Sequence, residues 1–114
     1  MAARQKNDIL QGTLALLVLK TLAANGPMHG YAITAHIQRV SADLLRVEEG
    51  SLYPALQRML KSGWLKSEMG TSARNRPVRI YKLEPAGRKR LEQERSSFEK
   101  MFAGIHRVLA VAQS

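Results

Sequence analysis

Apolar residues in the first half of the chain recur with a helical period. They predict three helices, over residues 8–24, 29–40 and 51–62. The first is apolar around most of its circumference, so it must be covered on more than one side, and part of that cover is expected from a second subunit. The segment between the second and third helices is expected to be a loop that contributes Leu44, Leu45 and Val47 to the core.

The period shortens to about two after residue 63, which is typical of β-strands. Two strands are predicted, over residues 64–69 and 77–83, joined by the polar loop 70–76. Glu84-Pro85 then begins a last helix that is expected to run to residue 112. Three helices, a hairpin and a final helix predict a mainly α fold with a small β-hairpin (α+β), the layout of a winged helix-turn-helix. We assign the winged unit to residues 8–84 and the last helix to 85–112.

The last helix carries an apolar series typical of helices that pair with one another. Its members are Leu91, Phe98, Phe102, Ile105, Leu109 and Ala112. Their spacing is that of an a/d seam, interrupted at Arg95. The seam predicts that this helix is a dimerisation helix and that the protein is a homodimer. The predicted interface residues, from the first and last helices, are Leu10, Leu14, Leu17, Leu91, Phe98, Phe102, Ile105 and Leu109.

Charge and composition narrow the class of partner. The 114-residue chain has a formal net charge of +9, and residues 50–82 hold seven positive residues and one acid, Glu68. A basic domain of this size suggests a polyanion, usually a nucleic acid or an anionic membrane. No apolar stretch reaches the length of about 18 residues that a membrane span requires, so no membrane partner is expected. The chain has no cysteine, which excludes disulfides and fits a cytoplasmic protein.

The third helix and the hairpin carry side chains that suit double-stranded DNA. On the polar face of the helix, Gln57 can pair with an adenine edge and Arg58 with guanine, and Lys61 lies on the same face. Ser51 and the backbone N–H groups at the helix start can hold a phosphate. The hairpin adds Arg74, Asn75, Arg76 and Arg79. Neighbouring arginines without acids repel one another unless a polyanion neutralises them, although a plain solvated surface is the alternative explanation.

Catalytic and metal-binding chemistry is not indicated. His29, His36 and His106 are far apart and lack clustered acid or thiol partners. The chain has no glycine-rich phosphate loop and no carboxylate pair that would act as an acid/base couple. We therefore expect no enzymatic activity, no metal and no cofactor.

The aromatic residues are expected to be mainly structural. Tyr31, Tyr53 and Tyr81 are predicted to have mostly buried rings that can each donate a hydrogen bond, with Tyr31 and Tyr81 structural, and Trp64 to pack between helix and sheet. Tyr53 is the one tyrosine expected to contact a phosphate.

Three blocks of sequence resemble the PadR family of bacterial transcriptional regulators. Residues 50–65, GSLYPALQRMLKSGWL, are similar to the family's recognition-helix signature. Residues 29–33, HGYAI, are similar to the start of its second helix, and residues 76–83, RPVRIYKL, followed by Gly87, to its wing strand. The blocks have the order and spacing of the family and cover residues 9–91.

The resemblance implies a dimeric repressor that binds an inverted-repeat operator through a winged helix-turn-helix. By position, the family's DNA-facing helix corresponds to Ser51, Tyr53, Pro54 and Gln57, and Arg58 and Lys61 extend that surface. The wing corresponds to residues 74–76. The last helix has no tryptophan, so a flat aromatic pocket between subunits is not predicted, but Phe98 and Phe102 can line a smaller one.

Three hypotheses follow for function. The first is a DNA-binding repressor. The second, compatible with the first, is a ligand sensor in which a small aromatic effector at the dimer interface changes the spacing of the recognition helices and releases the operator. The third is a basic protein-interaction module that binds an acidic partner and no specific DNA. RNA binding is disfavoured, because no aromatic stacking surface accompanies the basic patch.

Overall fold

The computed structural model describes residues 8–112, with side chains from residue 13 onward. Within this part of the chain there are four helices and three strands: α1 (Asp8–Asn25), β1 (Met28–His29), α2 (Gly30–Val40), α3 (Glu49–Lys61), β2 (Leu65–Thr71), β3 (Pro77–Leu83) and α4 (Pro85–Leu109). The predicted order of three helices, hairpin and final helix is confirmed. The predicted contact Leu10 lies outside the described side chains.

The sheet has one strand more than the sequence pattern predicts. Its order is β1-β3-β2, and both pairings are antiparallel. β1 pairs with β3 by placing Met28 opposite Tyr81 and His29 opposite Ile80. A strand of two residues is too short to show a period, so it could not be recognised from the sequence. Its consequence is that the start of α2 is fixed beside β3.

The core forms around α1, which contacts α2, α3, β3 and α4. The completely or almost completely buried side chains include Leu14, Val18, Leu19, Leu22, Ile33, Ile37, Leu52, Leu56, Met59, Leu65, Tyr81 and Leu91. α1 is therefore covered on several sides, as expected, and most of this cover comes from its own chain. Leu16 and Leu17 are only partly buried.

Two local expectations about the segment before α3 are wrong. Leu44 is 85% exposed and contributes nothing to the core, whereas Val47 is buried and Leu45 packs against the core from its edge. α3 begins at Glu49, two residues earlier than predicted, so Pro54 lies in its second turn and not in its first. The carbonyl of Gly50 therefore lacks the helical N–H that a residue other than proline would supply.

The end of α3 determines where the hairpin begins. Gly63 has a φ of +78°, a left-handed conformation that favours glycine. The N–H of Gly63 donates to the carbonyl of Leu60, and the N–H of Trp64 donates to that of Met59. This pair of bonds is a Schellman motif, which ends the helix and turns the chain directly into β2.

Candidate nucleic-acid interface

α3 separates its apolar and polar side chains cleanly. Leu52, Ala55, Leu56 and Met59 are buried against the core. The side chains predicted to read DNA lie on the opposite side and are exposed; they are Tyr53, Pro54, Gln57, Arg58 and Lys61. Ser51 is half-buried. The helix thus presents a polar surface whose position is held by a fully packed apolar face.

The start of α3 does not have the character expected of a phosphate site. The N–H groups of Ser51 and Leu52 both donate to the carbonyl of Glu48, at 3.0 Å. Glu48 and Glu49 add two carboxylates at this end, and both are exposed. The N–H groups of Ser51 and Leu52 are thus already bonded, and acids repel a phosphate. Both observations are unfavourable for the phosphate site predicted at this end of the helix.

The tip of the hairpin is organised by a serine that the sequence analysis did not single out. Ser72 Oγ accepts hydrogen bonds from the N–H groups of Arg74 and Arg76, at 3.3 and 3.2 Å. The N–H of Ser72 also donates to the carbonyl of Arg76, at 2.8 Å. Because the backbone of the turn is bonded to itself, the Arg74 and Arg76 side chains point from a defined loop and are exposed.

Asn75 has a structural reason for its position. Its φ is +63°, a left-handed conformation that asparagine tolerates better than most residues. Its N–H donates to the carbonyl of Ser72, at 2.9 Å. The turn therefore accounts for asparagine here without any contact to DNA.

Arg79 lies on the same face of the hairpin as the residues that pack into the core. It is two residues from the buried Tyr81 on the same strand, so both side chains project to the same face. Its guanidinium donates to Ser67 Oγ, at 3.1 Å, and this bond fixes the head group. Lys66 and Lys82 pair directly across the strands on the other face. The positive charge of residues 50–82 is thus divided between two faces, and Arg79 belongs to the face that α3 shares.

α3 and the hairpin meet in a cavity that we call the junction cleft. It has a volume of about 250 Å³ and is lined by His29, Gly30, Tyr31, Tyr53, Val78, Arg79 and Tyr81. The cleft joins Tyr53 of α3 to Arg79 of β3, two predicted DNA contacts from separate elements. Tyr53 lies so close over Gly30 that a Cβ there would be 2.9 Å from its hydroxyl oxygen.

The three tyrosines of the junction cleft differ in exposure. Tyr81 is 2% exposed, as predicted, but Tyr31 is 66% exposed, so the prediction of a buried ring is wrong for it. The Tyr31 ring stacks on the His29 ring with centroids 6.4 Å apart. Burial raises the pKa of Tyr81 above its ordinary value of 10.0, with Arg79 acting in the opposite direction. Its hydroxyl is therefore a protonated donor at neutral pH. Tyr31 lines the cleft, a position that the sequence analysis did not predict for it.

The positive side chains of α3 and the hairpin are not neutralised by acidic side chains. Across residues 8–112, none of the seven positive side chains between positions 50 and 82 forms a salt bridge, and the bridge that this part of the chain does contain joins Arg90 to Glu94 on α4, at 2.7 Å. The same Arg90 guanidinium lies 4.9 Å above the Trp64 ring, which packs against the core as expected. The unpaired positive charges favour a polyanionic partner.

The predicted dimer seam divides into a covered and an uncovered part. Leu14 and Leu91 are 2% and 7% exposed within the protomer, so the prediction that they are surface contacts is wrong: both belong to its own core. Leu17 and Phe98 are partly buried. The other predicted contacts whose side chains are described are exposed: Phe102, Ile105 and Leu109. Ala112, the last member of the predicted seam, is also exposed, as are three neighbours that were not predicted, Met101, Val108 and Val111. The apolar surface left bare is therefore the distal half of α4 and the residues just after it.

The histidines have local structural contacts. His29 Nδ1 accepts from the N–H of Ala32, at 3.4 Å, and so caps α2. His36 lies within 3.3 Å of both Asn25 and Arg39, and His106 meets the Phe102 ring edge-on. No group of three or more potential metal ligands occurs among the residues described.

Over the same residues, no helix is both long and apolar enough to cross a membrane.

Comparison with known proteins gives one family. A family model described as "Transcriptional regulator PadR-like family" matches residues 18–93, which include α2, α3, the hairpin and the first part of α4. The chain is 37% identical over 79 residues to "Transcriptional regulator Rv3488" of Mycobacterium tuberculosis, a match that covers 69% of this chain and 70% of that protein.

Two further similarities extend this result. The chain is 44% identical over 86 residues to an uncharacterised 37.1 kDa protein in transposon TN4556 of Streptomyces fradiae, covering 75% of this chain but only 23% of that protein. A transcriptional regulator of known structure from Clostridium thermocellum superposes with a TM-score of 0.79 at 27% identity, covering 88% of this chain and 96% of its own. The fold and the sequence thus indicate the same class of protein.

Proposed function

The chain belongs to the PadR-like family of transcriptional regulators, and from that premise we propose that it is a homodimeric, sequence-specific repressor of transcription. Each protomer inserts α3 into a major groove of double-stranded DNA, and the hairpin tip contacts the adjacent phosphates or minor groove. The two α3 helices bind the halves of an inverted repeat, about one helical turn apart. Repression needs no more than this, because a protein that occupies a promoter excludes other proteins from it.

The observation that carries this proposal is the polar face of α3. Gln57, Arg58 and Lys61 are exposed on a helix whose other face is buried, and the two cations have no carboxylate partner among the described residues. Gln57 and Arg58 are side chains that read adenine and guanine edges by paired hydrogen bonds. Lys61, Arg74, Arg76 and Arg79 supply charge for phosphates, which sets affinity but not sequence choice.

The experiment is selection of bound duplexes from a random DNA pool, followed by gel-shift titration of the selected duplex and of random DNA. We expect Arg58→Ala and Gln57→Ala to weaken binding to the selected duplex about tenfold or more with little effect on random DNA, because each loses a base contact. Arg76→Ala is expected to weaken binding to both DNAs by a similar factor.

The matched control is Arg107→Ala, which removes the same charge from an exposed position on α4. It is expected to change neither affinity by more than about twofold, because surface substitutions away from a binding site have small effects. Equal losses on the two DNAs for all three interface variants would contradict the division of roles. Failure of the wild-type protein to retard any duplex at moderate salt would contradict DNA binding and favour a protein-interaction module.

The uncovered distal half of α4 supports the homodimer. Phe102, Ile105 and Leu109 are 50%, 48% and 76% exposed and repeat at the spacing of a paired helix. An apolar stripe of this kind is stabilised by burial against a second copy. Sedimentation of the wild-type protein is expected to give a dimer.

Ile105→Glu places a carboxylate in this seam and is expected to raise the dimer dissociation constant at least about tenfold, because burying an unpaired charge costs several kcal/mol. Ala103→Glu introduces the same group one position from Phe102, off the a/d series, and serves as the control. A wild-type monomer, or equal dissociation of the two variants, would contradict this interface.

A groove between α1 and α4 supports an effector site of the class expected from the sequence, a small aromatic molecule. It has a volume of about 140 Å³, and Leu16, Phe98 and Met101 provide its apolar lining. An occupant there lies against the dimerisation helix, so it can change the separation of the two α3 helices. Calorimetry against small aromatic compounds tests this, and we expect a compound that both binds and lowers operator affinity. Binding without any change of operator affinity would contradict an effector role.

A further inference from the structure

The junction cleft presents the hydroxyl of an otherwise buried tyrosine. Tyr81 is 2% exposed and lines the cleft, and its hydroxyl forms no hydrogen bond with the described side chains, those of residues 13–112. A tyrosine hydroxyl at the wall of a cavity, with no protein acceptor, can donate to an acceptor on a ligand in that cavity. The burial that raises the pKa of Tyr81 keeps this donor protonated.

The other polar groups of the cleft are donors as well. Arg79 contributes a guanidinium that Ser67 holds in place, and Tyr31 and Tyr53 contribute phenolic hydroxyls. Gly30 begins an α-helix of 11 residues, whose dipole makes this end electropositive. No carboxylate lines the cleft. A group that satisfies three phenols and a guanidinium must be rich in acceptors and negatively charged, and a phosphate has both properties.

We propose that the junction cleft is a binding site for one phosphate group, and that its occupant is a phosphodiester of the DNA backbone. This inference rests on the function proposed above and adds Tyr31 and Tyr81 to the interface. Tyr53 is one helical turn before Gln57 on α3, so the phosphate is held beside the base that Gln57 contacts. Arg79 is two residues beyond the start of β3, next to the hairpin tip. A phosphate at this point fixes the register of α3 along the groove.

Tyr81→Phe tests the site because it removes only the hydroxyl. Since that hydroxyl has no partner among the side chains of residues 13–112, the variant is expected to unfold at the same temperature as the wild-type protein. Its affinity for the selected duplex and for random DNA is expected to fall by a similar factor, about five- to twentyfold, because a phosphate contact is not sequence-specific. Tyr31→Phe, at an exposed position, repeats the test without touching the core. Ser96→Ala removes an exposed hydroxyl from α4 and is the control.

Methylphosphonate scanning of the selected duplex locates the phosphate. Each substitution removes one backbone charge, and we expect one position in each half-site at which the wild-type protein loses about tenfold in affinity. In Tyr81→Phe the same substitution is expected to cost no more than about threefold, whereas its cost at other positions is unchanged, since the two changes act on one contact. A wild-type protein that binds the duplex but has no position dependent on Tyr81 would overturn this site alone. A protein that binds no duplex overturns both this site and the proposed function.

A second arm distinguishes DNA from a free phosphate. Inorganic phosphate is titrated into the protein at constant ionic strength, with Tyr81→Phe in parallel, and the tyrosine resonances are followed by NMR. We expect the tyrosine resonances to show no saturation at millimolar phosphate. Saturable binding that is lost in Tyr81→Phe, together with a scan that shows no Tyr81-dependent position, would assign the cleft to a free phosphorylated ligand and overturn the assignment to DNA.

Discussion

α3 and α4 are both amphipathic helices, but their apolar faces differ in how far the protomer buries them. The apolar face of α3 is covered by its own chain, and Leu52 and Leu56 are 0% exposed. The apolar face of α4 is covered only near its start, at Leu91, and is bare from Met101 onward. A helix whose apolar face is covered within the protomer offers its polar face to a ligand. A helix whose apolar face is bare offers that face to another protein chain.

The largest effect is expected from truncating the covered face. Leu56→Ala leaves a cavity in the core and is expected to lower the free energy of unfolding by about 3 kcal/mol. Leu109→Ala removes the same atoms from the bare face and is expected to change the stability of the protomer by less than about 0.5 kcal/mol. Denaturant unfolding at low and high protein concentration measures both, and Leu109→Ala is expected to matter only at concentrations where the dimer forms. Similar losses in both variants at low concentration would remove the distinction between the two helices.

The junction between α3 and the hairpin is the next most sensitive point. Gly63→Ala forces a Cβ into a left-handed conformation, for which we expect a loss of about 1 kcal/mol in the free energy of unfolding. Gly104→Ala, in the exposed part of α4, is the matched control and is expected to be neutral or slightly stabilising. An equal response of the two variants in thermal unfolding would show that the Schellman turn does not hold the hairpin in place.

Gly30→Ala separates stability from binding. The new Cβ pushes on the Tyr53 ring, and because Tyr53 is 41% exposed it can move outward at little cost. We expect a change of less than about 0.5 kcal/mol in stability, but a several-fold loss of affinity for DNA as Tyr53 leaves the junction cleft. Unfolding and gel-shift titrations of the same preparation check this. A loss of stability without any loss of affinity would contradict a role of the cleft in DNA binding.

The smallest effect concerns pH. Burial raises the pKa of Tyr81 in the folded protein, so its contribution to stability is complete below the unfolded value of 10.0 and is lost as the pH rises through the folded value. The free energy of unfolding of the wild-type protein is therefore expected to decline more steeply above pH 10.0 than that of Tyr81→Phe. Parallel alkaline profiles for the two proteins would contradict this assignment.

Much of the fold followed from periodicity, because long amphipathic segments have few ways to bury their apolar faces. The bounds of β3 were predicted to the residue, since Pro77 and Glu84-Pro85 bracket it. The start of α3 was missed because Glu48 and Glu49 carry no apolar periodicity and Glu48 makes no side-chain cap. β1 was missed because two residues show no pattern, and its pairing with β3 depends on contacts distant in sequence.

The candidate site was predictable by residue type more than by arrangement. The exposed cations of α3 and the hairpin tip follow from charge and spacing. The burial of Leu14 and Leu91 within the protomer could not be predicted from spacing. An apolar seam in the sequence does not show which side chains pack against their own chain and which pack against a second subunit. The junction cleft also depends on tertiary contacts, since β1 places the start of α2 beside β3 and the packing of α3 places Tyr53 over Gly30.

The most direct measurement of the central claim is the salt dependence of affinity for duplex DNA. If the α3 and hairpin cations of two protomers neutralise phosphates, the logarithm of the association constant should fall linearly with the logarithm of salt concentration, with a slope more negative than about −4. Arg76→Ala should make that slope shallower by about one for each protomer, and Arg107→Ala should leave it unchanged. An affinity that is flat with salt, or the same change of slope for both variants, would contradict the account.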